Sequence, residues 1–142
     1  MPGTALYNFT NVKLEAVMNP DLARTIAVKL KPSTTFARGT ILGEITASPG
    51  VYGAYDHTAN DGRQVAKCIL AYDVTTDVNG NPTGITFPYP PWPDLSVPAY
   101  SSGYFSCADM ANVAELAFAL AQAGFARLIQ GTATAGIFAL GA

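Results

Sequence analysis

Apolar and polar residues alternate along the first regular segment of the chain. This segment reads RTIAVKLKP from position 24, so that Ile26, Val28 and Leu30 alternate with polar or small residues. A period of two places these three side chains on one face of a strand, and the proline that follows ends it. Residues 1–23 have neither this period nor that of a helix. We therefore predict an N-terminal arm over 1–23 and a β-rich domain over 24–142.

Glycine and proline divide the next part of the chain into short apolar segments. A Pro-Gly pair at 49–50 separates the segment FARGTILGEITAS from VYGAYD, as expected of two strands joined by a turn. A further strand is predicted from Val65 to Val74. The Asn-Gly pair at 79–80 is a strong hairpin signal, and we place this hairpin between about Ile69 and Phe87.

One segment near the C terminus has the period of a helix. It begins at Asn112, which matches a capping box with Glu115 three residues on, and Gly124 is placed to end it. One face of this predicted helix carries Val113, Leu116, Ala117 and Leu120. The segments FARLIQ and GIFAL that follow predict closing strands. The expected fold class is mainly β with a minor α+β character, in a single domain with one helix in its C-terminal half.

Five prolines lie in the segment PYPPWPDLSVPAY, which covers residues 88–100. Proline has no N–H to donate and favours an extended backbone, so we predict a Pro-rich loop there and not a central strand. Tyr89 and Trp92 allow two roles for this loop. It could be a ligand for an aromatic-lined partner domain, or it could pack on its own core or on a neighbouring subunit, which we favour.

The chain is rich in apolar residues and poor in charge. Hydrophobic residues make up 49% and charged residues 13% of it, and its formal net charge is −2. Charged residues form about a quarter of an ordinary soluble protein, so we expect something besides solvent to cover part of the surface. The basic residues form no concentrated face, which argues against binding to nucleic acid. No apolar run reaches the roughly 20 residues of a membrane span.

Cys68 and Cys107 are expected to be reduced. They belong to no CxxC motif and to no cluster with histidine that would suggest a metal site. We recognise no secretory signal before the domain, so we expect the chain in the cytoplasm, where thiols are kept reduced.

The most reactive-looking group in the sequence is formed by Asp56, His57 and Asp61. A carboxylate beside an imidazole can orient a general base. However, the sequence has no G-x-S-x-G motif, no H-E-x-x-H motif and no second histidine. We therefore interpret His57 as a turn residue on a polar loop, and we predict no catalytic residue, no cofactor and no metal site.

The polar residues from Asp73 to Asn81 resemble the ligands of a calcium loop only superficially. Counted from Asp73, the sixth and twelfth positions hold Val78 and Gly84, where an EF-hand needs glycine and glutamate. We attribute the polarity of this segment to the hairpin turn.

The order of these motifs resembles the lambda-type head decoration proteins of tailed phages. The family's G-T-x-L-G strand is similar to GTILG here, and a later family stretch is similar to the segment from Tyr52 to Leu70. The matching residues of that stretch are Tyr52, Tyr55, Asp56, Asp61, Gly62, Ala66, Ile69 and Leu70. The resemblance covers roughly 30–74 and, more loosely, 102–128. Cys68 replaces a family glycine, and the Pro-rich loop is not part of the family pattern.

This resemblance implies a β-clip-like fold and a homotrimer that sits at local three-fold positions on the outer surface of a phage head. It implies a virion protein that binds the major capsid protein and stabilises the shell, is made in the host cytoplasm, and is not an enzyme. We further expect the arm to bind the capsid through Leu6, Tyr7, Phe9 and Val12, which could add as a strand to an exposed capsid edge. The alternative is that the arm is an edge strand of the domain itself.

Two other functions stay open at this point. A trimeric β-clip nucleotide hydrolase would need convergent carboxylates and phosphate-binding groups, whereas the basic residues here are scattered. A carbohydrate-binding module would use Tyr52, Tyr55, Tyr89 and Trp92 as stacking platforms.

Overall fold

The computed structural model describes residues 24–85 and 96–141. Within these residues it contains ten strands, one short 3-10 helix and one α-helix. In chain order the elements are β1 (Arg24–Leu30), β2 (Thr35–Phe36), β3 (Ile41–Glu44), β4 (Val51–Ala54), β5 (Cys68–Leu70), β6 (Val74–Thr76), β7 (Pro82–Ile85), β8 (Val97–Ser106), the 3-10 helix (Cys107–Asp109), α1 (Val113–Ala121), β9 (Ala126–Gly131) and β10 (Gly136–Leu140). The prediction of a mainly β domain with one helix is confirmed. The predicted arm lies outside the described residues.

Seven strands form the main sheet, in the order β1-β4-β3-β5-β8-β10-β9. An additional antiparallel pairing between β1 and β8 closes the first five of these strands into a ring. Strand β8 is long enough to continue beyond the ring, where it pairs with β10. Among the residues that the structure describes, β9 is paired with β10 alone and so lies at the edge of the sheet.

Both faces of the central strands are buried. On β3, Ile41 and Leu42 are each fully buried, yet they contribute to two different hydrophobic clusters. Neighbouring residues of a strand point to opposite faces, so β3 and, in the same way, β5 each separate two cores. The inner cluster lies inside the ring and contains Val28, Leu30, Phe36, Leu42, Cys68, Leu70, Val74, Val97 and Ala99. The helix-side cluster packs under α1 and contains, among others, Ile41, Ile69, Phe105, Leu116, Ala119 and Phe138.

Strands β2, β6 and β7 form a separate small sheet. The hairpin of β6 and β7 confirms the turn that the Asn-Gly pair predicted, although its first strand begins at Val74 and not near Ile69. Residues 86 and 87 of the predicted hairpin lie outside the described residues. The strand predicted from Val65 to Val74 is wrong in its length. It is interrupted after Leu70, because the chain leaves the main sheet there and enters the small sheet at Val74.

Helix α1 buries a narrower face than its sequence predicts. Leu116 and Ala119 are fully buried against the sheet, and Val113 and Leu120 are partly buried. Ala117, which was expected on the core face, is exposed. The helix contacts the sheet along the line of Leu116 and Ala119. Ala117 follows Leu116 by one position, about 100° around the helix, and therefore faces outward.

The prediction of a Pro-rich loop over 88–100 is wrong at its C-terminal end. Strand β8 begins at Val97 and is paired on both sides, since Ala99 lies between Ile26 of β1 and Leu70 of β5. Pro98 fits in this central strand because its carbonyl still accepts a hydrogen bond from the Ala71 amide at 3.3 Å. Only the N–H of one residue is lost from the ladder. Residues 88–95 of the loop lie outside the described residues.

Both cysteines are buried and free, which confirms that they form no disulfide. Cys68 lies in the inner cluster, and burial raises the pKa of its thiol to about 12. A thiol in that environment stays protonated and unreactive. Within the part of the chain that the structure describes, no helix is both long and apolar enough to cross a membrane.

Candidate functional site

The loop between β4 and β5 is held in shape by its own polar side chains. We refer to Asp56–Gln64 as the docked loop. Asp56 Oδ1 accepts hydrogen bonds from the Thr58 amide at 2.9 Å and from the Thr58 hydroxyl at 2.6 Å. Asp61 pairs with the Arg63 guanidinium at 3.0 Å. Aspartate commonly bonds the backbone two residues on in this way, which stabilises turns.

The docked loop also packs closely against the end of strand β3. The Thr46 amide donates to the Asp61 carbonyl at 2.8 Å, and Gly62 has a positive φ of 109°. A Cβ at Gly62 would overlap the Glu44 carbonyl oxygen and would lie 2.7 Å from the Thr46 nitrogen. Glycine at this position therefore provides both the backbone conformation and the close approach.

Two amide side chains fasten helix α1 to this part of the sheet. Asn112, just before the helix, accepts from the Ile41 amide at 2.8 Å and donates to the Ile41 carbonyl at 3.2 Å. Gln122, just after it, accepts from the Ala66 amide at 2.8 Å and donates to the Ala66 carbonyl at 2.9 Å. Each side-chain amide accepts a hydrogen bond from the N–H and donates one to the carbonyl of the same residue, and so satisfies both of its backbone groups. The helix is thus anchored at both ends.

The predicted capping box is wrong. Asn112 is the N-cap residue of α1, but its side chain makes no capping hydrogen bond because it is engaged with Ile41. Glu115 instead reaches the docked loop, where its Oε1 accepts from the His57 amide at 2.9 Å and lies 2.8 Å from His57 Nδ1. The two residues that predict a cap instead join α1 to other segments: Asn112 bonds β3, and Glu115 bonds the docked loop.

His57 is therefore more than a turn residue on a polar loop. Its ring is stacked on Phe118 of α1, with centroids 3.6 Å apart and planes inclined by 4°. Glu115 and Phe118 lie three residues apart on one face of α1. Glu115 contacts the edge of the His57 ring, and Phe118 stacks against its plane. The sequence pointed to Asp56 and His57 but missed Glu115, because no local pattern links residues 58 positions apart.

Asp56, His57 and Glu115 each place one ligand-type atom within 4.8 Å of the others. Hydrogen bonds from the Thr58 hydroxyl and amide lower the pKa of Asp56 and so favour its ionised form. Asp61, the third residue of the predicted group, belongs instead to the pair with Arg63. One imidazole and two carboxylates form a set that can accept protons or hold a cation.

The outward face of α1 is apolar. Ala114, Ala117, Phe118 and Ala121 are all exposed and lie on one side of the helix. Phe118 leaves 47% of its surface accessible although one side of its ring is covered by His57. The exposed edge strand β9 adds Leu128 and Ile129, which are 39% and 42% accessible. Surfaces of this kind are typical of sites where proteins associate.

Other residues with predicted roles are placed differently. In the hairpin turn, Asp77 Oδ1 accepts from the amides of Asn79 and Asn81, both at 2.9 Å, which accounts for the polarity of that segment. Tyr55 is 4% accessible and lies in the helix-side cluster, so it is no stacking platform for a sugar. Tyr89 and Trp92 lie outside the described residues, as do the arm residues Leu6, Tyr7, Phe9 and Val12.

Comparison with known proteins gives one match. The family model described as Bacteriophage lambda head decoration protein D matches residues 16–87, which is half of the chain. The matched part includes β1–β7 and the docked loop, whereas α1 and the edge strand β9 lie beyond it. Comparison with curated proteins and with solved structures gave no match.

Proposed function

Because the chain belongs to the bacteriophage lambda head decoration protein D family, we propose that it binds the outer surface of a phage head as a homotrimer at local three-fold positions and stabilises the shell. Membership of this family makes the chain a phage head decoration protein, a structural component of the virion that binds the capsid. The family match carries the proposal, and the geometry of the exposed surfaces supports it.

The outward face of α1 and strand β9 are the surfaces that we assign to contacts between copies. They expose Phe118, Leu128 and Ile129, in a chain whose charged fraction is only 13%. Burying apolar surface between copies is favourable by about 25 cal/mol per Å². A strand at the edge of a sheet also carries unpaired backbone groups that another chain can satisfy. A closed ring of three copies would cover such surfaces without further growth.

The major capsid protein is the proposed partner, and residues 1–23 are the proposed contact with it. Leu6, Tyr7, Phe9 and Val12 are spaced so that an extended arm could add to an exposed capsid edge and fill pockets beside it. Three arms on one trimer would engage one capsid together. Modest affinity of a single arm then becomes firm attachment through the high effective concentration of the other two.

Mass measurement and binding to heads test the trimer. We expect the free protein, or the protein cross-linked on heads, to have three times the monomer mass. Phe118→Glu and Ile129→Glu should abolish the trimer, since each places a charge in an apolar contact. Val78→Glu is the matched control, because Val78 is 78% accessible at the hairpin turn and belongs to neither surface. A strict dimer both free and on heads would contradict the proposal.

Deletion of residues 1–15 tests the arm. The shortened protein should fold and form trimers but should no longer co-sediment with heads that lack the decoration protein. Circular dichroism and mass measurement on the same sample show whether folding and assembly are intact. If the shortened protein unfolds, the segment belongs to the domain. If it binds heads as tightly as the full chain, the arm is not the contact.

A further inference from the structure

We propose that Asp56, His57 and Glu115 bind one divalent transition-metal ion of the Zn²⁺ type, which fastens the docked loop to helix α1. The proposal concerns contacts within one copy of the chain, so it stands apart from the trimer and from capsid binding. The observation behind it is the meeting of one imidazole and two carboxylates, from segments far apart in sequence, with their ligand atoms within 4.8 Å.

The nearest pair of ligand atoms suits a small ion after a minor adjustment, whereas Asp56, up to 4.8 Å away, must move closer by up to about 1.5 Å. His57 Nδ1 and Glu115 Oε1 are 2.8 Å apart. Two ligands of a tetrahedral Zn²⁺, with bonds of about 2.0–2.2 Å, are separated by roughly 3.3–3.5 Å. The pair must therefore open by about half an ångström, and the ion takes the place of the direct contact between the two atoms. Asp56 supplies the third ligand, which leaves the fourth position for water.

The ligands are also held in place by other groups. Thr58 donates two hydrogen bonds to Asp56 Oδ1, the His57 amide donates to Glu115, and Phe118 covers one side of the His57 ring. Metal sites need such outer contacts, because they orient the ligands before the ion arrives. The side chains of His57 and Glu115 remain 34% and 24% accessible, so an ion and its water can reach them.

The chemistry of the ligands selects the class of ion. Imidazole nitrogen favours Zn²⁺ and its neighbours in the transition series, whereas Mg²⁺ and Ca²⁺ prefer sites made of oxygen alone. Two carboxylates balance the charge of a divalent ion, and the only cationic side chain in the docked loop, Arg63, is paired with Asp61. Zn²⁺ is therefore the probe that we choose, with Co²⁺ as its spectroscopic substitute.

His57 is the only histidine of the chain, which makes the test direct. The full-length protein without a polyhistidine tag is titrated with ZnCl₂, and heat and the ¹⁵N resonances of the His57 ring are recorded. We expect binding of one ion per chain, a large shift of one ring-nitrogen resonance, and a melting temperature that rises with Zn²⁺ and falls back with EDTA. Unchanged His57 resonances at saturating Zn²⁺ would overturn the proposal, whether or not heat is released.

Variants identify the ligands. His57→Gln and Asp56→Asn should each weaken Zn²⁺ binding at least tenfold, since loss of an outer contact alone costs about 10–100-fold. Asp77→Asn is the matched control, because it makes the same chemical change in the hairpin turn, outside both the cluster and the docked loop, and should bind as the native chain does. Equal weakening by Asp77→Asn and Asp56→Asn would overturn the proposal. If His57→Gln fails to fold, the ring resonances of the native chain still decide the matter.

Discussion

The hairpin turn at Asp77–Asn81 and the docked loop at Asp56–Gln64 are both polar turns with an aspartate and a glycine of positive φ. In the hairpin turn, the Asp77 side chain bonds amides at most four residues away. In the docked loop, Asp56 makes similar local bonds, but the loop also bonds Glu115, which lies 58 residues from His57. Similar local chemistry thus produces one turn whose aspartate side chain bonds near neighbours and one that is also joined to a distant helix.

This difference affects how the two segments respond to change. Contacts between near neighbours form at little cost in chain entropy, whereas contacts across many residues require the rest of the fold to be in place. Damage to the hairpin turn should therefore stay local. Damage to the docked loop should reach the helix, and through it the apolar surface that carries Phe118.

The largest expected difference comes from replacing the two glycines. Gly62→Ala should lower the free energy of unfolding by about 3–5 kcal/mol, because alanine is strained at this positive φ and its Cβ would overlap backbone atoms of Glu44 and Thr46. Gly80→Ala should cost about 1–2 kcal/mol, since its Cβ would lie 3.2 Å from the Leu30 carbonyl oxygen and 3.6 Å from a side-chain carbon of Pro32, with no overlap. Urea unfolding measures both. Equal losses would show that the docked loop is no more constrained than the hairpin turn.

A smaller contrast comes from removing one side-chain acceptor of the hairpin turn and one that anchors helix α1, on which the docked loop packs. Asn112→Ala should lower the free energy of unfolding by about 2–3 kcal/mol, because it leaves the buried Ile41 amide without this partner. Asp77→Ala should cost about 1 kcal/mol, because water can replace the carboxylate at a turn. The same urea experiment applies. A larger loss for Asp77→Ala would reverse the comparison.

An alkaline titration tests the burial of Cys68 in the inner cluster. Burial is the main cause that raises the pKa of the Cys68 thiol from 9.0 to about 12. The unfolded chain loses this proton near pH 9 and the folded chain keeps it, so stability is full below pH 9 and falls above it. The expected slope is about 1.4 kcal/mol per pH unit up to the folded pKa. The slope should become shallower in Cys68→Ala, where the Cys107 thiol, whose pKa is also raised by burial, still contributes. It should persist in full in Gly80→Ala; an unchanged slope in Cys68→Ala would mean that Cys68 is not its source.

The smallest effect on stability is expected from Glu115→Ala. The pair with His57 is partly accessible to solvent, so its loss should cost about 0.5–1 kcal/mol in buffer with EDTA. Hydrogen exchange gives the sharper result. The His57 amide should exchange faster in this variant while the Asn79 and Asn81 amides keep their rates, and Asp77→Ala should do the reverse. Faster exchange in both regions from either variant would mean that they are coupled.

Several elements of the fold follow from local patterns alone. The alternation of Val28 and Leu30 with exposed residues identified β1, and the Asn-Gly pair identified the hairpin turn. Such signals work because strand alternation and turn conformation depend on residues within a few positions. The family resemblance in the segment 30–74 is of the same kind, and the match over 16–87 confirmed it.

Local patterns failed where the same residue could serve two purposes. Asn112 and Glu115 fit a capping box, yet one bonds Ile41 and the other His57. Pro98 argued for a loop, yet it lies in a strand that is paired on both sides, because its neighbours Val97 and Ala99 are buried in the inner cluster. In both cases burial and partners from distant segments outweighed the local preference.

The sequence by itself determined the fold class, the positions of most strands, helix α1, the absence of a disulfide between the two cysteines and the family. These depend on periodicity, turn chemistry and composition, which are properties of residues close together in the sequence. Only the tertiary structure decided that the strands close into a ring, that α1 exposes Phe118, and that Asp56, His57 and Glu115 meet. The physical reason is that these features come from packing between segments whose separation in sequence leaves no periodic or local trace.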